Sequence, residues 1–129
     1  MRLIGLGLAA VAFALTTLVG VAVGAAPAGS QPDQVASGAA VYDTSCATCH
    51  GSELEGGRGS TLDRATLASY RTADRLVRFV RISMPDDNPG ILSDQEYYDV
   101  VAFLLDWNSQ NPDGIPLDAS TAADVALTD

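Results

Sequence analysis

There is no lysine in this chain of 129 residues: all seven of its basic residues are arginine. It holds one histidine, two cysteines and, beyond the initiator, one methionine. Each scarcity removes chemistry. Without lysine there is no amine to ligate a metal or to complete a phosphate-binding loop. A structural zinc site takes four ligands, and one His with two Cys cannot supply them. Bases are outnumbered by 16 acids, for a formal net charge of −9, which argues against nucleic acid and anionic membrane surfaces as partners. Alternating or β-branched runs that would build a sheet are also missing. With them goes the βαβ setting in which a redox-active dithiol belongs. The length fits one small domain.

What is present begins with an uncharged apolar stretch, Leu3 to Val23, after Met1-Arg2. Small residues follow, and the first acid is Asp33. A basic start, an apolar run and small residues are the parts of a secretory signal, with cleavage after Gly24, Ala25 or Ala26. Cleavage after Ala26 would place Pro27 next to the cut, which is unfavourable. The run is also long enough to span a bilayer, which takes about 20 residues. Residues 1–26 are therefore read as a signal peptide or an N-terminal membrane anchor. Either way the remainder is exported, and the expected location is the periplasm, soluble or tethered to the inner membrane.

Both cysteines and the only histidine fall within "CATCH", Cys46 to His50. The C-x-x-C-H pattern is the signature of covalent haem attachment. Two thiols at this spacing reach both vinyl groups of one haem, and the adjacent His is held beneath the iron. Thus Cys46 and Cys49 are expected to hold the cofactor and His50 to meet the metal. Export agrees with this, because bacterial haem ligation to such motifs takes place outside the cytoplasm. Elimination supplies the other axial ligand. With no second His and no Lys, the remaining candidate is Met84, in "RISMPDDNPG". Met thioether is a known partner of His in cytochromes. Pro85 pushes Met84 out of helical conformation, which suits a ligand aimed from a loop. A lone Met is otherwise core filler, and an open sixth position is the alternative.

Helical signals surround these positions. Asp33 is read as the N-cap of a first helix running into Cys46, with Val35, Ala39, Tyr42 and Cys46 on one face. Gly38 inside it marks close approach of another backbone. "GSELEGGRGSTL", Gly51 to Leu62, reads as a loop around the His side of the haem. Thr72 opens a middle helix, about Ala73 to Ser83, with Leu76, Phe79, Val80 and Ser83 on one side and Arg71, Arg75, Arg78 and Arg81 on the other. An Asp74–Arg78 pair is expected there; the alternatives for this arginine face are a docking patch or counter-charge for the haem propionates. "SDQE", Ser93 to Glu96, is a capping box. It opens a last helix to Trp107, with Tyr97, Val100, Val101, Phe103, Leu104 and Trp107 inward and Gln95, Asp99 and Asp106 outward. Residues 109–129 show no periodicity and read as an acidic C-terminal tail, partly wrapped and partly disordered.

Charge is segregated. Residues 33–55 hold four acids and no base, residues 58–81 hold six Arg and two Asp, and residues 86–129 hold ten acids and no base. The surface is expected to be dipolar.

These landmarks, in this order, resemble the class I, single-haem bacterial cytochromes c over about residues 34–108. Gly38-x3-Tyr42-x3-Cys46 resembles the family's first helix, where the glycine meets an aromatic residue of the last helix, here Phe103. "CATCHG" matches the haem motif, Met84-Pro85 the axial loop and "LSDQEYYDVVAFLL" the final helix. The resemblance implies an all-α fold, three to five helices around one covalently bound haem c, in a cytochrome c domain over residues 27–108. It implies His50/Met84 iron and reversible one-electron transfer, with no bond chemistry on a substrate, so the protein is expected not to be an enzyme. A single haem motif argues against a dihaem peroxidase, and Met84 against the open iron of a gas sensor. One departure stands out. The family often has Gly-Pro-x-Leu after the motif, with a carbonyl near the proline accepting a hydrogen bond from the axial His. Here the run is Gly59-Ser60-Thr61-Leu62, and Ser60 still offers a carbonyl. "NPGILSDQEYYDVVAFLL" with "CHGSELEGG" also resembles cytochrome domains that accompany quinoprotein (PQQ) dehydrogenases. The function expected is a periplasmic one-electron carrier; the alternative is a dedicated electron-accepting subunit of a periplasmic PQQ-type dehydrogenase. Expected partners are redox proteins (a dehydrogenase, an oxidase or another cytochrome), with no nucleic acid and no membrane contact beyond an N-terminal anchor.

Overall fold

Pro32 lies in the first turn of the first helix, where a missing N–H removes no helical bond. The helix, α1 (Gln31–Ser45), therefore starts ahead of the Asp33 cap expected from the sequence. Ser30 takes the N-cap position and its Oγ donates to Asp33 Oδ2 at 2.7 Å, which leaves Asp33 inside the first turn, favourable to the helix dipole. The computed structural model describes residues 29–129, so the leader or anchor expected over residues 1–26 lies outside the described residues.

Four further helices follow: α2 (Ala47–His50), α3 (Arg64–Ala68), α4 (Ala73–Ser83) and α5 (Asp94–Trp107). Each start has a local cause. Asp63 accepts from the Thr66 N–H at 2.8 Å to cap α3, a short helix for which the sequence reading made no prediction. Thr72 caps α4 at the expected residue. At α5 the capping box is closed in both directions between Ser93 and Glu96. Among the described residues there is no strand, only one antiparallel bridge between Thr72 and Ala126.

The main interface is α1 against α5. Gly38 makes it possible. A Cβ there would run into the Asp99 carbonyl and lie 2.9 Å from the Phe103 Cβ. The expected Gly38–Phe103 approach is thus present, and the Asp99 backbone is closer still. This corrects the outward placement of Asp99. It is buried beneath the crossing, where its carboxylate accepts from Gln95 Nε2 at 2.7 Å. Trp107, expected inward, is half exposed and edge-on to Phe103, with ring centroids 5.8 Å apart. Phe79 on α4 is also partly exposed, and Val77 takes the inward place beside Leu76 and Val80.

The largest correction concerns residues 109–129. The segment is packed along its length, with Leu117, Ala122, Val125 and Leu127 all in the core. Two buried amides hold it. Gln34 of α1 donates to the Leu117 carbonyl at 2.8 Å and accepts from its N–H at 2.7 Å. Gln110 does the same to Thr128, at 2.7 and 3.0 Å. The segment then caps α4: Ala73 N–H donates to Val125 O and Asp74 N–H to Ala122 O, both at 3.0 Å. These are helix-terminal donors that otherwise lack partners. An extended strap fixed by backbone bonds leaves no periodic signature, which is why it read as a tail.

Candidate haem site

The "CATCH" stretch lies at a helical junction. Cys46 ends α1 and begins α2, with its N–H on the Tyr42 carbonyl at 2.9 Å and its carbonyl taken by His50 N–H at 3.0 Å. Cys49 and His50 complete α2, one turn on. Gly51, at φ +83°, turns the chain away. Its carbonyl accepts from the Tyr42 hydroxyl at 2.6 Å, a contact between α1 and the exit of the motif that the sequence reading did not foresee. Both thiols are part-buried, and no disulfide joins them. Burial, and then the proximity of Cys49, push the Cys46 thiol up to about 11, so it stays protonated at neutral pH. Burial also pushes Tyr42 up to about 12, helped by the nearby Cys46 and Glu55.

His50 is held in one orientation. Its Nδ1 lies 2.7 Å from the Ser60 carbonyl oxygen. A carbonyl only accepts, so Nδ1 carries the proton and Nε2 is the nitrogen left for a metal. The run without proline therefore still supplies the carbonyl expected of it. Gly59 completes the seat. A Cβ at that position would stand 2.6 to 2.9 Å from three atoms of the imidazole ring. The glycine is needed because the ring lies against its backbone, a reason not visible in the sequence.

Met84 ends α4 in extended conformation, φ −132° and ψ 148°, as the following proline requires. It packs against the same core cluster as Cys46, Leu62, Tyr70, Leu92 and Phe103. Two aromatic pairs are formed, Tyr42 with Phe103 at 5.3 Å between centroids and Tyr70 with Phe79 at 5.1 Å. Among the described residues, no group of three or more His, Cys, Asp or Glu is placed to hold a bare metal ion. The donors present are two thiols, one oriented imidazole and one thioether. That soft set, with a glycine cradle behind the imidazole, fits a haem rather than a hydrated cation.

Residues 33–104 match the family described as cytochrome c oxidase, cbb3-type, subunit III. The chain belongs to this family. It is a class I c-type cytochrome, an electron-transfer protein rather than an enzyme, and haem c is the cofactor its domain implies. No curated protein matches the chain. Among solved structures, it is similar to a chain of the sulfane dehydrogenase SoxCD from Paracoccus pantotrophus, at 23% identity and a TM-score of 0.55. That match covers 85% of this chain and 68% of the other. It supports the small all-α cytochrome c fold.

Proposed function

We propose that this cytochrome is a periplasmic one-electron carrier. One haem c is bound covalently through Cys46 and Cys49, with His50 and Met84 as its axial ligands. The observation that carries the reading is the 2.7 Å bond between His50 Nδ1 and the Ser60 carbonyl, which presents Nε2 to a metal. The haem supplies a reversible one-electron couple. The chain's residues do the rest: two thiols fix the macrocycle, the carbonyl holds the imidazole tautomer, and Met84 closes the sixth position and raises the potential. The N-terminal 26 residues export the domain or anchor it.

The native protein tests this directly. Its ferric spectrum is expected to be low-spin with the weak Met-to-iron band, and its haem to stay on the polypeptide under acidic organic extraction. Met84→Ala is expected to turn the spectrum high-spin and sensitive to CO. A high-spin, CO-reactive spectrum in the unaltered protein would sink the Met84 assignment.

A second reading has its own support. A chain of the sulfane dehydrogenase SoxCD has a similar fold. This cytochrome would then be the electron-accepting unit of a periplasmic dehydrogenase, of the PQQ type on the resemblance drawn above, rather than a free carrier. Stoichiometric copurification of the native haem protein with a dehydrogenase decides between the two.

A further inference from the structure

The loop from Met84 to Ser93 has little holding it from within. Residues 86–91 are exposed, and Ile91 is 59% exposed. Among the described residues, one backbone bond closes inside it, from Asn88 N–H to the Pro85 carbonyl at 2.9 Å. Gly90, at φ +82°, has no neighbour within 4 Å of a Cβ position. A loop of this kind does not fix a side chain near its start.

The order comes from its two ends, and Arg81 joins them. Arg81 precedes Met84 by one helical turn. Its guanidinium reaches Asp94, the first residue of α5, with Nη1 3.3 Å from Oδ1. The same guanidinium lies 5.5 Å from the Tyr97 ring centroid and 6.0 Å from that of Tyr98. Tyr97 is 1% exposed and belongs to the fixed core of α5. A planar cation that stacks and pairs at once sets distance and direction together. Arg78, on the same helix, differs. It pairs within α4, to Asp74 at 3.1 Å, and its side chain is 76% exposed.

We infer that Arg81 is a positioning residue for Met84: it ties the end of α4 to the start of α5 and so holds the ligand loop against the haem. This rests on Met84 being the axial ligand. Little global stability is at stake. The pair is screened by solvent, with the Arg81 side chain 38% and that of Asp94 86% exposed. Stability is thus not what the arrangement optimises. Its effect belongs in the ligand.

The test uses the full haem-loaded chain and two readouts: CO uptake by the ferrous protein, and the pH at which the ferric Met-to-iron band disappears. Arg81→Leu is expected to keep the band at neutral pH, lose it on acidification at higher pH than wild type, and take up CO about tenfold faster. Arg81→Lys keeps the ion pair without the stack and is expected to fall between. Arg78→Leu removes the same charge from the same helix and is expected to match wild type. If Arg81→Leu matches Arg78→Leu in both readouts, the inference is overturned. If wild type itself lacks the band, the ligand reading fails, and the positioning role fails with it.

Discussion

The loops that follow His50 and Met84 are built by opposite means. The one after His50 is ordered from within. Gly56 N–H donates to the His50 carbonyl at 2.7 Å, Gly59 N–H to Cys49 O at 2.8 Å, and Leu62 N–H to Leu54 O at 2.9 Å. Thr61 Oγ1 adds a bond to Glu55 O at 3.0 Å, and Leu54 is buried although its φ is +64°. The conformation is costly for Leu by about 1 kcal/mol, an amount its burial offsets. The loop after Met84 has one internal bond and an exposed crest. Its order is lent by α4 and α5. A ligand seated by its own loop is lost only when that loop unfolds. A ligand seated by helix ends is released by small, local opening. Under the proposed His50/Met84 ligation, the imidazole side is therefore the permanent half of the site, and the thioether side the half that yields.

Glycine substitutions break this contrast most sharply. Gly59→Val puts a branched side chain into the space of the His50 ring, and the neighbours cannot give way because Cys49 O already accepts from the Gly59 N–H at 2.8 Å. Loss of most haem-loaded protein is expected, read as covalent haem per polypeptide. Gly90→Ala on the other loop meets nothing within 4 Å. It carries only the penalty of its positive φ, about 1 kcal/mol, and should load haem normally. Equal yields from the two variants would remove the contrast.

A middle-sized effect separates both loops from the strap. Gln110→Ala removes three hydrogen bonds made by a buried amide, two to the Thr128 backbone and one to the Arg64 carbonyl. A loss of about 2 kcal/mol is expected in urea unfolding, with the low-spin spectrum kept at low denaturant. A spectrum that changes before the unfolding transition would show that the strap acts on the site.

How far the sequence could be read follows the same division. Helices α4 and α5 were legible to the residue, because Thr72, the Ser93–Glu96 box and Pro85 are local signals, and helices obey local signals. The C-x-x-C-H run was legible as a haem motif because attachment through two thiols demands a fixed spacing in one turn. Asp99 was misplaced because its burial is imposed by Gly38, 61 positions away. The strap was misread for a related reason. Its anchors Gln34 and Gln110 are amides, and an amide has no pattern that says which backbone it will meet. Gly59 and Arg81 lie between these cases. Each was visible as a residue, but the imidazole and the tyrosine stack that need them appear only in three dimensions.

The smallest effect expected is acidic, and it also belongs to the yielding side. Glu96 accepts from the Ser93 backbone N–H at 2.7 Å, and this bond above all holds its carboxyl below the usual carboxylate range. A carboxyl lowered on folding adds stability above its unfolded pKa of about 4.3. That contribution is lost as pH falls through the lower folded value. Ser93 is the far end of the Met84 loop, so acid should loosen that loop first. Asp118 is lowered in the same way, by Ser120 before Thr121, but it lies in the strap. On acid titration of the ferric protein, Glu96→Gln should flatten the early loss of the Met-to-iron band, since its amide keeps a weaker, pH-independent bond. Asp118→Asn should leave that early phase unchanged. If Asp118→Asn flattens it as well, acid sensitivity is a property of the whole molecule, and the two loops do not differ in how they respond to pH.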